Sequence, residues 1–361
     1  MGTVSSIHRR SDEIYAIHPI EDARWHFFVA AHEAATVFHS TSWLEAIYRT
    51  YRYIPVAYTT SPPGTPLQNG IVFCRVNSLL TGRRLVSVPF ADHCRPLCSD
   101  IELAAILSKL QTSVTGDRVQ YIEVRPTSAL QIQSPVFHSQ ASYAWHVLDL
   151  EPDIETLLRN CHKSGVQRKV RRAEREALYY EEGRTEALLG SFYELHSLTR
   201  RRQGIPPHPK QWFRNLLACF GETLKIRAAF KGDQCVASIM TIRHKDCVVF
   251  KYGASDPRFN NLGGTQLLLW RTVLEAKREG CKRLDLGRSD FSTPGLITFK
   301  DRWGARRSTL TYSRFTASAD ASKNFAPSGA KQPPAAVTLI CSHLPVCVLR
   351  FAGNVLYRHV G

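Results

Sequence analysis

One order of elements occurs twice along this chain, and the repetition constrains the fold more than any single motif. In the first half, residues 42–51 place Trp43, Leu44, Ile47 and Tyr48 at helical spacing. Strands are expected at 55–60, 70–76 and 85–88, with the turn Ser61-Pro-Pro-Gly64 after the first. An amphipathic helix over 101–112 then feeds a strand at 121–125. In the second half, His208-Pro-Lys-Gln-Trp212 opens a helix, and strands follow at 224–230, 235–243 and 247–252, with the turn Lys231-Gly-Asp233 after the first. A helix over 265–279 ends at Gly280 and feeds a strand at 283–286. Trp43 and Trp212 head corresponding helices, which argues for two copies of one α/β unit rather than two unrelated domains.

The joint between the copies falls near residues 148–153, giving lobes over 1–150 and 151–316. Residues 317–336, rich in Ala, Ser, Pro and Lys, read as a flexible linker. Residues 337–361 form an apolar tail with Arg350, Arg358 and His359 among its aliphatic side chains. Pro345 and those charges exclude a membrane span. The tail is expected to dock on the body, with contact to a membrane surface as the alternative. No apolar run occurs in residues 1–24, so no secretory signal is expected, and the expected location is the cytoplasm or the inner face of the membrane. Met1-Gly2 with Ser6 fits the short myristoylation pattern, which is common by chance.

With 47 Lys and Arg against 31 Asp and Glu, the chain carries a formal charge of +16, which favours a polyanionic partner. The charge is concentrated over residues 157–178, which read as one helix bearing Arg159, Lys163, Arg168, Lys169, Arg171, Arg172 and Arg175. A second cluster, Arg200-Arg-Arg202, follows a short helix over 192–199. Such density suits phosphates of RNA or of a nucleotide-linked substrate, and equally a solvated face. No aromatic residues are interleaved with these charges, so base stacking is not expected. The ten cysteines form no paired framework and are expected to be reduced. His93-Cys94 with Cys98 lacks the further ligands a metal site needs, so no metal is expected.

The stretch from Arg283 to Tyr312 carries the candidate chemistry. An alternating strand reaches Gly287, Arg288 and Ser289, a break follows, and Phe299-Lys300 stands just ahead of Trp303-Gly304 and a strand at 310–312. A strand end with a cationic loop suits an anionic ligand or a developing oxyanion. Lys300 is the candidate oxyanion donor and Arg288 a phosphate or carboxylate clamp. Asp301, Asp256 and His196 are candidate proton acceptors. Tyr252, Ser289, Trp303, Arg168, Arg171 and Arg172 complete the substrate-binding candidates.

Ser87-Val-Pro-Phe-Ala-Asp-His-Cys-Arg-Pro-Leu97, Phe192-Tyr-Glu-Leu-His196, Arg202-Gln-Gly204 and His208-Pro209 resemble FemAB-like proteins of the GNAT superfamily. Tyr252-Gly-Ala-Ser255, Asp285-Leu-Gly-Arg-Ser289 and Phe299-Lys-x-x-Trp-Gly304 extend the resemblance through nearly the whole chain. It implies an α/β fold with mixed sheets, built as two tandem GNAT-like domains. It also implies transfer of an acyl or aminoacyl group from acyl-CoA or aminoacyl-tRNA to an amine of a cell-envelope or exopolysaccharide precursor. No tightly bound cofactor is implied. In Fem-type enzymes the Lys of the Phe-Lys pair is associated with the acyl-transfer intermediate, which falls here on Phe299 and Lys300. Two departures bear on the donor. Residues 256–264 contain glycines without the spacing usual in acyl-CoA-binding GNAT proteins, and residues 178–208 leave no room for the long helical arm of some Fem enzymes. The alternative is a non-catalytic protein of this fold that holds RNA or an anionic membrane through its basic face.

Overall fold

A computed structural model describes residues 13–78, 80–116, 119–130, 137–316 and 335–360. The myristoylation pattern and most of the expected linker lie outside the described residues. The first copy runs β1 (Tyr15–Ile17), α1 (Ala23–Ala31), α2 (Thr41–Tyr51), β2 (Ile54–Thr59), β3 (Ile71–Ser78), β4 (Gly82–Val86), α3 (Asp100–Gly116), β5 (Val119–Val124) and β6 (Phe137–Asp149). A connecting segment holds α4 (Ile154–Asn160) and α5 (Arg168–Arg175). The second copy repeats the order as β7 (Tyr179–Gly183), α6 (Glu186–Arg202), α7 (Lys210–Phe220), β8 (Leu224–Lys231), β9 (Gln234–His244), β10 (Cys247–Ser255), α8 (Gly264–Arg278), β11 (Arg283–Asp290) and β12 (Arg306–Thr316), with α9 (Pro294–Asp301) inserted before the last strand. The tail folds as α10 (Ala335–His343) and α11 (Val346–Leu356).

All twelve strands join one mixed sheet in the order β1-β2-β3-β4-β5-β12-β6-β11-β10-β9-β8-β7. Read from either end, the list passes through corresponding strands of the two copies. The centre is an exchange: β12, from the second copy, pairs with β5 of the first, and β6, from the first, pairs with β11 of the second. β6 and β12 themselves pair antiparallel from Phe137↔Phe315 to Val147↔Arg306. A cut after residue 150 therefore separates the chain halves without separating the sheet. Among the described residues the parallel pairs are β4 with β5 and β10 with β11, the connections that need a crossover helix.

The duplicated helices pack against each other. Trp43 and Trp212 are fully buried and meet edge to face, with ring centroids 5.4 Å apart. Around them Phe38, Leu44, Ile47, Phe192, Phe213 and Leu216 join both lobes in one apolar core on one face of the sheet. The opposite face is covered by separate clusters, α8 with α5 over the second copy and α3 over the first.

The expected helix over 157–178 is broken. Cys161 and His162 are extended (ψ 142° and 126°), and the chain resumes as a π-turn before α5. His162 Nδ1 accepts from the Gly165 amide at 3.0 Å, and its own amide donates to the Arg302 carbonyl at 2.8 Å. A Cβ on Gly165 would lie 2.5 Å from Arg302 Cδ, so the residue at the break has to be glycine for Arg302 to sit there. The helix expected at 192–199 begins earlier, because Thr185 accepts from the Leu188 amide and caps a longer α6.

The tail docks on the body. Gly353 sits against the Pro207 carbonyl, Tyr357 stacks on His208 at 3.9 Å, and Tyr53 donates to the Tyr357 carbonyl at 2.9 Å. Arg84 and Thr81 both donate to the His359 carbonyl. Among the described residues no helix is long and apolar enough to cross a membrane.

Candidate active site

The site begins where two parallel strands part. β10 and β11 pair from Cys247↔Arg283 only as far as Val249↔Asp285. Beyond that point each strand carries a bulge, β10 between Phe250 and Tyr252 and β11 between Asp285 and Arg288. Bulges bend a strand and re-aim its side chains. The gap opens into a cleft of about 760 Å³ whose walls include Lys251, Tyr252, Gly287, Arg288, Phe299 and Lys300. In the first copy Arg125, just past β5, donates to the Val88 and Ala91 carbonyls of the loop after β4. Phe90 and Asp92 of that loop line the cleft of the second copy.

Gly287 shapes the floor. Its φ of 73° lies in the left-handed region, and a Cβ there would stand 3.0 Å from Asp92 Oδ2. Its amide donates to Asp285 Oδ1 at 2.7 Å. Asp285 also accepts from Trp145 Nε1 at 2.8 Å and bonds His93 Nε2 at 3.0 Å. Burial pushes the Asp285 carboxyl upward, but those partners outweigh it and hold the group below its usual range. His93, from the cluster with Cys94 and Cys98, is thus bonded to Asp285.

α9 brings Lys300 to this floor. Its side chain is buried, and Nζ donates to the Gly287 carbonyl at 2.8 Å and the Arg288 carbonyl at 2.9 Å. An ammonium has three N–H donors, so one remains for the cleft. Burial lowers the Lys300 pKa to about 8, with the Lys251 and Arg288 charges adding to the effect against Asp92 and Asp285. At neutral pH it is still a cation, held in place without a flexible search.

Asp92 binds the other two cations of the floor. Lys251 Nζ lies 3.1 Å from Asp92 Oδ2 and Arg288 Nε 3.9 Å from Oδ1. Lys251 lies among the rings of Phe38, Trp43 and Tyr252, and burial lowers its pKa despite Asp92. Arg288 lies over Tyr143, 4.2 Å from the ring centroid. Lys169, Arg200, Arg202 and Arg302 continue the positive lining, so the cleft walls hold seven Lys and Arg side chains and one carboxylate, Asp92. The far end reaches Gly264 and Thr265 at the start of α8, whose first amides have no acceptor within the helix. Such a surface is built for an anion, or for negative charge that develops during a reaction.

Of the sequence-derived candidates, Lys300, Phe299, Arg288, Tyr252 and His196 meet at the cleft. His196 is buried against Phe192, Phe213 and Tyr252, and burial holds its imidazole far below the usual pKa, which makes it a weak base. The others stand elsewhere, each for a visible reason. Asp256 caps the turn after β10 and is clamped by Arg258, which lowers its pKa. Asp301 sits on the outward side of α9, bonded to His146 at 3.0 Å and paired with Arg307. Trp303 is fully buried in the core, and Ser289 is buried outside the cleft lining. Arg168, Arg171 and Arg172 are exposed on α5, and it is Lys169 that turns inward. Asp92 and Lys251 are absent from the sequence-derived set. A lysine inside the apolar strand run Val248-Val-Phe-Lys-Tyr252 was the available signal for the second.

Residues 162–301 match the acetyltransferase (GNAT) domain family. The chain is similar in fold to FemX, with a TM-score of 0.62 at 13% identity over 83% of this chain and 96% of that one. A conserved protein of unknown function from Bacteroides thetaiotaomicron superposes with a TM-score of 0.55 at 11% identity, covering 84% and 100% of the two chains. A tandem GNAT protein from the clavulanic acid biosynthesis pathway gives 0.52 at 10% identity, covering 84% and 98%. No curated protein matches the chain significantly in sequence. Residues 162–301 thus match a GNAT acetyltransferase domain, and the chain as a whole has the tandem GNAT fold that it shares with FemX and the clavulanic acid pathway protein.

Proposed function

We propose that the protein transfers an acyl or aminoacyl group from acyl-CoA or aminoacyl-tRNA to an amine on a cell-envelope or exopolysaccharide precursor. The observation that carries this reading is the buried Lys300 ammonium, fixed on the Gly287 and Arg288 carbonyls at the parting of β10 and β11. Both donors end in phosphate-bearing nucleotides, which suits the cationic lining and the open amides at the start of α8. The acceptor amine attacks the carbonyl carbon of the ester or thioester, and the carbonyl oxygen takes on negative charge. The third N–H of Lys300 meets that charge, in a setting that needs no reorganisation. Collapse expels the ribose hydroxyl or the thiol, which takes up the proton lost by the amine. His196, neutral and weakly basic, serves ligand hydrogen bonding in this scheme rather than proton removal.

The test is a mass-spectrometric screen of purified protein with acyl-CoA and aminoacyl-tRNA donors and amine acceptors, repeated with Lys300→Ala. Transfer by the native chain that falls by about two orders of magnitude in the variant supports the mechanism. Full activity in Lys300→Ala removes it. Salt-dependent RNA binding that survives the substitution, with no transfer from any donor, favours the non-catalytic alternative through the exposed arginines of α5.

A further inference from the structure

The two tail helices leave an apolar surface facing outward. α11 uses Leu349 and Gly353 to pack on the body, while Val348, Phe351 and Val355 point away with exposures of 44, 69 and 47%. These three lie at i, i+3 and i+7, one stripe of the helix. α10 adds Leu339 and Ile340 at 62 and 59%. Seventeen large hydrophobic side chains are exposed among the described residues, and eight of them fall between Val337 and Val360. Packing against the body therefore accounts for only one side of the hairpin. Scattered single hydrophobics need no partner, but a stripe along one helix face does.

Charge decides between occupants. Residues 335–360 contain no Asp or Glu, and their basic side chains are Arg350, Arg358, His343 and His359. Arg350 is turned inward onto Glu194 at 2.7 Å, so it anchors the hairpin, whereas Arg358 is exposed beside Val360. A second copy brought against this face would add another chain of formal charge +16. An anionic bilayer offers the opposite charge and an apolar interior at the right depth for side chains on one helix face.

We infer that the α10–α11 hairpin docks the protein on an anionic membrane surface, with Phe351, Val348, Val355, Leu339 and Ile340 entering the headgroup and upper acyl region. The anchor touches the cleft wall directly, since Tyr357 at the end of α11 stacks on His208, a cleft-lining residue. Docking would therefore hold the cleft close to the lipid headgroups.

The full-length protein is sedimented with vesicles of phosphatidylcholine and phosphatidylglycerol and with vesicles of phosphatidylcholine alone. The comparison is the variant Val348→Asp/Phe351→Asp/Val355→Asp, with its fold checked by circular dichroism and its thermal midpoint. Binding to the anionic vesicles, reduced at least about tenfold in a folded variant and weaker on neutral vesicles, is the expected result. No binding by the native chain overturns the proposal, as does equal binding by the variant. A native dimer that the substitutions convert to monomer also overturns it, because the face is then a seam between copies. If the triple variant does not fold, Phe351→Ser alone is used, with the same outcomes at about threefold.

Discussion

Tyr312, on the central strand β12, donates its hydroxyl to the backbone carbonyl of Asp92 at 2.6 Å. The two residues belong to different copies of the repeated unit. Their bond fixes the first-lobe loop against the second-lobe cleft and keeps the Asp92 carboxylate on Lys251. The candidate site is thus assembled from both copies, although the residues nearest the proposed chemistry come from one.

Replacing Lys300 with Met should lower transfer about a hundredfold and stabilise the fold. The lysine pKa falls from 10.5 to about 8 on folding. The folded state therefore binds the proton less well than the unfolded chain. This costs up to about 3 kcal/mol below pH 8, a cost relieved as pH rises from 8 toward 10.5. Met removes the buried charge but leaves the Gly287 and Arg288 carbonyls without that donor, so the expected net gain is about 1 kcal/mol. Thermal unfolding at pH 7 checks it, and a midpoint below that of the native chain would sink the argument.

The same shift predicts the alkaline limb of the native pH profile. Turnover should fall as pH rises through about 8, where the Lys300 cation is lost. Single-turnover rates from pH 6 to 9.5 would show it; a rate still rising at pH 9.5 contradicts a cationic role.

Asp92→Asn should weaken the protein and move that limb. It leaves Lys251 and Arg288 without their carboxylate, a loss of about 3 kcal/mol for a buried pair. It also removes a charge that supports the Lys300 cation, so the limb shifts to lower pH. Urea unfolding and the pH profile of the variant test the two effects separately.

Asp301→Asn and Asp256→Ala should both retain transfer within about twofold of the native rate, because neither carboxylate lines the cleft. Asp256→Ala removes the cap of the turn after β10 and should cost about 1 kcal/mol of stability. A large loss of turnover at wild-type stability in either variant would return that residue to the chemistry.

Gly287→Ala should lower turnover more than stability. The added Cβ meets Asp92 Oδ2 at 3.0 Å at a φ of 73°, and the carbonyl that holds Lys300 must move with the backbone. A folded variant with an unchanged rate would show that the position of this carbonyl is unimportant.

The duplication was legible because its signals are local: aromatic helix starts, glycine turns and alternating strands. The Phe299-Lys300 pair was legible from its motif, and the structure brings it to the cleft. What escaped was set by distance along the chain. β6 lies between β11 and β12, and no local pattern announces which strands it joins. Asp256 and Asp301 were attractive as carboxylates near the motif, yet one caps a turn and the other faces outward on α9. Asp92 reaches the cleft from a first-lobe loop held by Arg125 and Tyr312, contacts that no local pattern announces. The break at His162 depended on Arg302, far along the chain, and so a continuous helix was the natural expectation for 157–178.

The exchange of β6 and β12 has a consequence for synthesis. As the chain leaves the ribosome, β5 emerges with one edge unpaired, and the strand that covers it, β12, begins only at Arg306. During that interval the first copy presents an open sheet edge, the kind of surface that recruits other strands. A chain that stops before Thr316 lacks part of the strand that covers β5, so β12 is the latch that closes the first copy's sheet edge once it is made.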